Sequence, residues 1–481
     1  MKKLYLSFAL ALGLSLQAHA DNWMSRLPDN LYVSQVSLPG AHDAATGSGM
    51  QTSLGELTSR TQDIDMAQQW SIGIRAFDLR PQVDGDTTLW ANHGIMKTNM
   101  SFAETLYLLR DSLIANPSEF VVVHLLYANG FADDKDTYRT LLYQLLKSDD
   151  LKDYLINFRR DLTVGDMRGK ILLLSRDQYD TKPIGGFLKN WCGYIDWSQQ
   201  TKGTITNGGT GILATSPLYM QDLSDTHADG QLEAKVEAIE TMLDFSTTHE
   251  TKTTYNITWV FNFASGYTTS ISTMNGYREN AAATSAAFID YLKEHNGPTG
   301  IVLADFVGVD ESNGYATRGQ ELVDTLIANN YKYLERRNQE KKAEAYDQLA
   351  TVRDSLAKAL ALVADSCPDV AANYSEDFDG VETGISDKQA EVDSLCAGWL
   401  LTDGYSTGYT TMMINIGKIV KEALAAQAEA EGTVGIDRVA ADESAVPVRF
   451  FSITGKELEA PQRGTVNIVE YSDGTIRKKI Y

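Results

Sequence analysis

Two hydrophobic periods alternate along the first two thirds of the chain. Continuous apolar runs such as Val121–Val123 and Ile171–Leu174 suit strands buried on both faces, as in a parallel sheet. Strand candidates are Tyr32–Ser37, Ala76–Arg80, Thr88–Asn92, Phe120–Leu126, Lys170–Ser175, Leu218–Gln221, Trp259–Asn262 and Ile301–Asp305. Helical spacing of apolar residues separates several of them, at Phe102–Asn116, Thr137–Ile156, Leu232–Asp244, Ala281–Glu294 and Gly319–Ala328. This alternation predicts an α/β fold, an irregular (β/α) TIM-like barrel. Ala76–Arg80 and Thr88–Asn92 lie close enough to form a hairpin-like pair, so the predicted barrel is distorted.

The pattern changes near residue 335. A charged run, Glu335–Glu344, leads into helical spacing through Asp365, and a second helical stretch covers Thr411–Ala430. A polar, Gly-containing segment around Asp377–Thr383 separates the two. The predicted organisation is a barrel over 21–335, a helical appendage over 336–432 and a β tail over 433–481. The tail holds strand candidates at Val448–Ile453, Thr465–Tyr471 and Thr475–Tyr481, with Pro447 before the first and an Asp473-Gly474 hairpin turn. Its glycine and Asp-Gly pattern resembles the short C-terminal β tail of many exported bacterial proteins.

Residues 1–20 read as an export leader: Lys2 and Lys3, an apolar stretch Leu4–Leu16, then Ala18-His19-Ala20 as a cleavage site. The expected location is therefore secreted, periplasmic or cell-surface. No later run approaches the ~20 apolar residues of a membrane span. The net charge of −22, without a dense basic cluster, argues against nucleic acid as a partner. Of three cysteines, Cys192, Cys367 and Cys396, an odd count leaves at least one free, and pairing of Cys367 with Cys396 stays open. Their spacing fits no zinc site.

Polar residues gather where strand candidates end. His42 and Asp43 follow the first, Asp78 and Arg80 close the second, and His93 follows the third. Arg176, Asp222 and Asp305 stand at later strand ends. In a (β/α) barrel these ends share one mouth. Two histidines supply a general base and a general acid, aspartates fix their tautomers, and arginine offers a planar fork matched to phosphate. That set suits cleavage of a phosphodiester. Among the other histidines, His124 lies within an apolar strand and reads as a core residue, while His227, His249 and His295 read as surface. Asp78 alone could equally hold Arg75 or Arg80 as an ion pair.

The blocks "SLPGAHDAATG", "GIRAFDLRPQ", "NHG", "NPSEFVVVHL" and "RGKILLLSRD" resemble, in order and spacing, the catalytic X-type barrel of bacterial phosphatidylinositol-specific phospholipase C. The resemblance spans residues 30 to about 310. It implies His42 as the base toward the inositol 2-hydroxyl, Asp305 holding His42, and His93 as the acid with Asp43 beside it. It implies Arg80 on the phosphate, Asp78 in the same block orienting the site, and Arg176 and Asp222 on the head group. It also implies no cofactor or metal, since a guanidinium stands where calcium-dependent relatives use carboxylates. The implied partner is a phosphatidylinositol-type lipid, met transiently at a membrane surface.

Two positions depart from that family. Leu125-Leu126-Tyr127 stands where a substrate-contacting lysine is usual, and Ser224 replaces an aromatic two residues after Asp222. The resemblance therefore carries the catalytic set further than head-group recognition. Phe187, Trp191, Tyr194 and Trp197 are candidates for a substrate wall, a membrane rim or plain packing. Two alternatives remain at this stage. One is a metal-dependent glycerophosphodiesterase, disfavoured because Phe77-Asp78-Leu79-Arg80 lacks a Glu-x-Asp pair. The other is a barrel that binds lipid head groups or glycans without turnover.

Overall fold

The computed structural model describes residues 20–85, 87–128, 135–191, 201–249, 251, 254–268, 275–401, 405–431, 446–452, 455–472 and 476–481. The expected leader (apart from Ala20), Cys192, Tyr194, Trp197 and the expected Asp473-Gly474 turn lie outside the described residues. The chain divides into two compact units. One runs to Glu344 and includes Val392–Tyr405; the other holds Ala345–Glu391 and Ser406–Tyr481.

The first unit contains the strands β1 (Leu38–Ala41), β2 (Ala76–Leu79), β3 (Pro81–Asp84), β4 (Thr88–His93), β5 (Met96–Ser101), β6 (Val121–Leu125), β7 (Leu155–Ile156), β8 (Ile171–Ser175), β9 (Gly186–Lys189), β10 (Thr201–Thr206), β11 (Thr215–Gln221), β12 (Trp259–Phe263) and β13 (Ile301–Ala304). Nine of them close a barrel in the order β6-β2-β1-β13-β12-β11-β10-β9-β8, with β8 returning to β6. Neighbours are parallel except around β10, which runs antiparallel to both β9 and β11. The apolar strand runs β6, β8 and β12 are buried along their whole length.

Several elements differ from the sequence expectation. Tyr32–Ser37 is not a strand: it contains a short 3-10 turn, Val33–Gln35, and the barrel strand begins at Leu38. Gly40 explains the register. A Cβ there would sit 2.6 Å from Leu303 Cδ2 and 2.8 Å from Ala76 Cβ, so only glycine lets β1 lie between β13 and β2. Thr88–Asn92 is a strand but not a barrel stave. It is the middle of a separate antiparallel sheet, β3-β4-β5, formed after the chain leaves the barrel at Arg80. The strands β9 and β10 are barrel staves without an apolar run to announce them.

The helices around the barrel are α1 (Ser53–Thr58), α2 (Met66–Ser71), α3 (Phe102–Ala115), α4 (Lys135–Leu146), α5 (Val164–Met167), α6 (Gln231–Thr248), α7 (Asn275–Glu294) and the first part of α8 (Gly319–Ser366). A reciprocal cap between Ser101 and Glu104 starts α3. The predicted helix to Ile156 stops at Leu146, where Ser148, Asp149 and Asp150 follow, residues whose side chains compete for backbone hydrogen bonds.

No break occurs at residue 335. The helix α8 continues through it, and the division into units falls after Glu344. Asn338 donates to the Cys396 carbonyl at 2.6 Å and the Trp399 indole N–H to Glu335 at 2.8 Å, which ties Val392–Tyr405 to the barrel unit. The expected polar gap at Asp377–Thr383 is also helical, inside α9 (Ser375–Ala397). Phe378, Val381 and Ile385 repeat at helical spacing and are buried, which outweighs the glycines at 380 and 384. With α10 (Tyr409–Ala430), these helices build a second core around Leu349, Val352, Leu356, Phe378, Ile385 and Ile416. The tail forms a four-stranded antiparallel sheet from β14 (Pro447–Phe451), β15 (Glu457–Leu458), β16 (Val466–Tyr471) and β17 (Ile476–Ile480). Cys367 and Cys396 are both buried free thiols, and they belong to different units.

Candidate active site

The C-terminal ends of the barrel strands bring the expected residues together. His42 and Asp43 follow β1, with Asp43 in a left-handed turn at φ 43°. Asp78 lies in β2 and Arg80 just after it, where the chain leaves the barrel. Asp305 follows β13, the parallel neighbour of β1. His93 arrives by another route, carried in by β4 of the outer sheet. Its Nδ1 donates to the Ser59 carbonyl at 2.7 Å, so Nε2 faces the site, 3.5 Å from Asp43.

Around His42 the groups are close. Nδ1 lies 2.7 Å from Asp305 Oδ1, while Nε2 lies 2.7 Å from Arg80 Nη2 and 3.3 Å from Asp43. A guanidinium can only donate, so in the neutral form of His42 that contact places the proton on Nδ1 and the lone pair on Nε2. Burial lowers the proton affinity of His42, but Asp43 and Asp305 outweigh it and push the pKa up to about 9. Arg80 also touches Asp43 at 3.0 Å through Nε and Asp78 at 2.9 Å through Nη2. Burial would weaken the cation, yet those two carboxylates more than reverse it. The Arg80 Nε and both Asp43 oxygens are buried without a well-aligned hydrogen bond among the described residues, which is costly unless a ligand completes them. The rings of His42 and His93 stand 6.3 Å apart between centroids.

Asp78, implied to orient the site, is fully buried against Arg80. Burial alone would raise its pKa, but Arg80 and His124 hold it well below the usual carboxylate range. Arg75 does not compete for it, being paired with Glu119. Sequence reasoning placed His124 in the core, and it is there, but its Nδ1 meets Asp78 at 2.7 Å. The signal that could have found it is register: Asp78 and His124 are direct partners across β2 and β6.

Arg176 and Asp222 form a second cluster. Asp222 accepts from the Trp191 indole N–H at 2.9 Å and from Arg176 at 3.5 Å, and Arg176 lies over the Trp191 ring at 4.6 Å. Trp191 therefore belongs to this cluster, while Phe187 lies half-buried on β9. His42, Asp43 and Asp78 converge closely enough to hold a cation, and the Arg80 guanidinium already contacts all three.

No family model matches the chain. A search of characterised proteins finds 1-phosphatidylinositol phosphodiesterase of Staphylococcus aureus (strain Newman), 26% identical over 325 residues, covering 65% of this chain and 96% of that protein. This chain is similar to bacterial phosphatidylinositol-specific phospholipase C. The enzyme of that name from Listeria monocytogenes is 31% identical over 170 residues, 34% of this chain and 50% of the relative. Among solved structures, a variant of the S. aureus phosphatidylinositol-specific phospholipase C superposes with a TM-score of 0.52 at 22% identity, covering 65% of this chain and 98% of that one. A second S. aureus structure, concerned with membrane binding of the phospholipase C, gives 0.52 at 21% identity, with 65% and 99% covered. These structures share the barrel fold. Among the described residues, no helix of this chain is long and apolar enough to cross a membrane.

Proposed function

We propose that the barrel cleaves phosphatidylinositol, or a glycosylated relative, at its phosphodiester, releasing diacylglycerol and a cyclic inositol phosphate. The observation that carries this reading is the pairing of His42 and His93 across Asp43, with Arg80 against both Asp43 and Asp78. Nε2 of His42 takes the proton of the inositol 2-hydroxyl, whose oxygen forms a bond to phosphorus. The bond from phosphorus to the glycerol oxygen breaks, and His93 in its protonated form gives that oxygen a proton. Asp305 steadies the imidazolium left on His42, and Arg80 meets the charge gathering on the phosphoryl oxygens. Arg176 and Asp222, beside Trp191, take hydroxyls of the head group.

The lipid would be met from one side of the mouth. Leu54 and Leu57 on α1 and Ile95 between β4 and β5 are exposed apolar side chains. The residue after α1, Ser59, also holds His93. Contact with a bilayer is then brief and apolar, since the −22 charge disfavours anionic surfaces. On the same reading the leader is removed after Ala20 and the enzyme works outside the cytoplasm; the mass of the mature protein checks this.

The test is incubation of purified protein with phosphatidylinositol, with and without excess chelator. Cyclic inositol phosphate formed equally in both supports a metal-independent lyase. Loss on chelation would move the chemistry to a cation at His42, Asp43 and Asp78. Absence of any turnover would leave a head-group-binding barrel.

A further inference from the structure

The imidazole of His124 has no part in the scheme above, yet it is 1% exposed and sits directly below the phosphate-facing groups. Its strand reads Val-Val-Val-His-Leu, and an apolar residue would pack there at lower cost. Resting on the reaction proposed above, we infer that His124 is a positioning residue that acts through Asp78 to aim Arg80 at the phosphate.

The hydrogen bonds define its form. Asp78 is held ionised and can only accept, so His124 Nδ1 carries the proton between them. Burial lowers the pKa of His124 against the pull of Asp78, which leaves a neutral ring. Its Nε2 has no hydrogen-bond partner among the described residues, and Trp191, Phe263 and Phe261 surround the ring at centroid distances of 5.1, 5.6 and 5.8 Å. The aromatic packing fixes the ring, and the ring fixes Asp78 Oδ1.

The other oxygen of Asp78 faces the reaction. It accepts from Arg80 Nη2 at 2.9 Å and from the Asp43 backbone N–H at 3.3 Å. One carboxylate thus joins the buried imidazole to the guanidinium and to the turn carrying Asp43. Without the Nδ1 donor, Asp78 Oδ1 would be buried and unpaired, and the carboxylate would turn or take up a proton to relieve it. Either response loosens Arg80. Because Arg80 matters most when charge gathers on phosphorus, the loss should fall on kcat more than on KM.

Two variants test this. His124→Phe keeps the ring volume and removes the donor; His124→Asn keeps an N–H donor on a shorter side chain. Phosphatidylinositol turnover should fall about 10- to 100-fold in His124→Phe with KM within about threefold, and His124→Asn should recover most of it. In an Arg80→Lys background, His124→Phe should change kcat by less than about twofold, because the fork it aims is already gone. Thermal melts establish that each variant is folded. Additive losses, an unchanged kcat in a folded His124→Phe, or an Asn variant no better than Phe would overturn the proposal. Wild-type inactivity on phosphatidylinositol would count against the reaction and not against His124. The same proteins are therefore titrated calorimetrically with inorganic phosphate. Affinity should drop about threefold in His124→Phe only when Arg80 is present. Equal affinity in both, or no phosphate binding by the wild-type protein, would overturn the proposal.

Discussion

Strand β2 has an arginine at each end. Arg75, just before it, pairs with Glu119 at 2.9 Å, both side chains fully buried, and lies over the Trp70 ring at 3.8 Å. Arg80, just after it, pairs with Asp43 and Asp78 at 3.0 and 2.9 Å but keeps 19% of its side chain open. The chemistry is the same and the surroundings differ. At the first end each charge is enclosed: Arg75 also donates to the Trp70 and Ile74 carbonyls, and Glu119 accepts from the Met24 N–H. At the second end the guanidinium keeps a poorly aligned buried N–H and an open face. A satisfied buried pair holds structure, and an incompletely satisfied one beside two histidines is poised for a ligand. The second unit sharpens the contrast: its fully buried polar residues among those described are Thr407, Gln427 and Asn467, none of them charged.

The contrast is most severely tested at the enclosed end. Glu119→Ala should cost about 3–5 kcal/mol of stability, because Arg75 would remain buried without its partner. Chemical denaturation measures it, and a loss below about 1 kcal/mol would show that Arg75 finds other compensation. At the open end the effect should appear in turnover. His42→Ala and His93→Ala should each lose at least about 100-fold, and Arg80→Lys should lose heavily because an ammonium cannot reproduce the fork. The melting temperatures of these variants should stay near wild type; a large drop would mean that the open end also holds the barrel together.

A smaller, directional effect concerns pH. The base must be unprotonated, and its carboxylate neighbours place His42 at about 9. The kcat/KM profile should therefore rise with pH until that proton is lost. Asp305→Asn removes one of the charges that favour the imidazolium, so the rising limb should move to lower pH. A limb that stays in place would assign it to another group. The smallest effect should come from the second unit. Deleting 446–481 should leave turnover within about twofold, since every proposed catalytic group lies in the barrel. Cutting at 335 is a different experiment: it would sever α8 and remove Val392–Tyr405, so the barrel itself should lose stability.

Much of this architecture was legible along the chain, for identifiable reasons. Strands buried on both faces must be apolar at every position, and so β6, β8, β12 and β13 announce themselves. The polar residues at their ends stand out because the runs before them are so uniformly apolar. His42, Asp43, Arg80, His93 and Asp305 stand out more weakly, as polar residues where strand candidates end, and the structure brings each within hydrogen-bonding or ion-pair reach of another.

Other features depend on neighbours distant in sequence, and no local pattern carries them. Gly186–Lys189 and Thr201–Thr206 become strands only because the gap between β8 and β11 must be closed, with β10 reversed. The second half of α8 is helical by its own spacing, but which core it joins is set by packing. His124 looks like one more core residue until the β2–β6 register sets it opposite Asp78. Composition and periodicity determined the apolar staves, most of the helices and which polar groups stand at strand ends. The pairing of those groups, and so the difference between Arg75 and Arg80, was decided by tertiary structure, because hydrogen bonds and ion pairs act over a few ångströms between strands that lie tens to hundreds of residues apart.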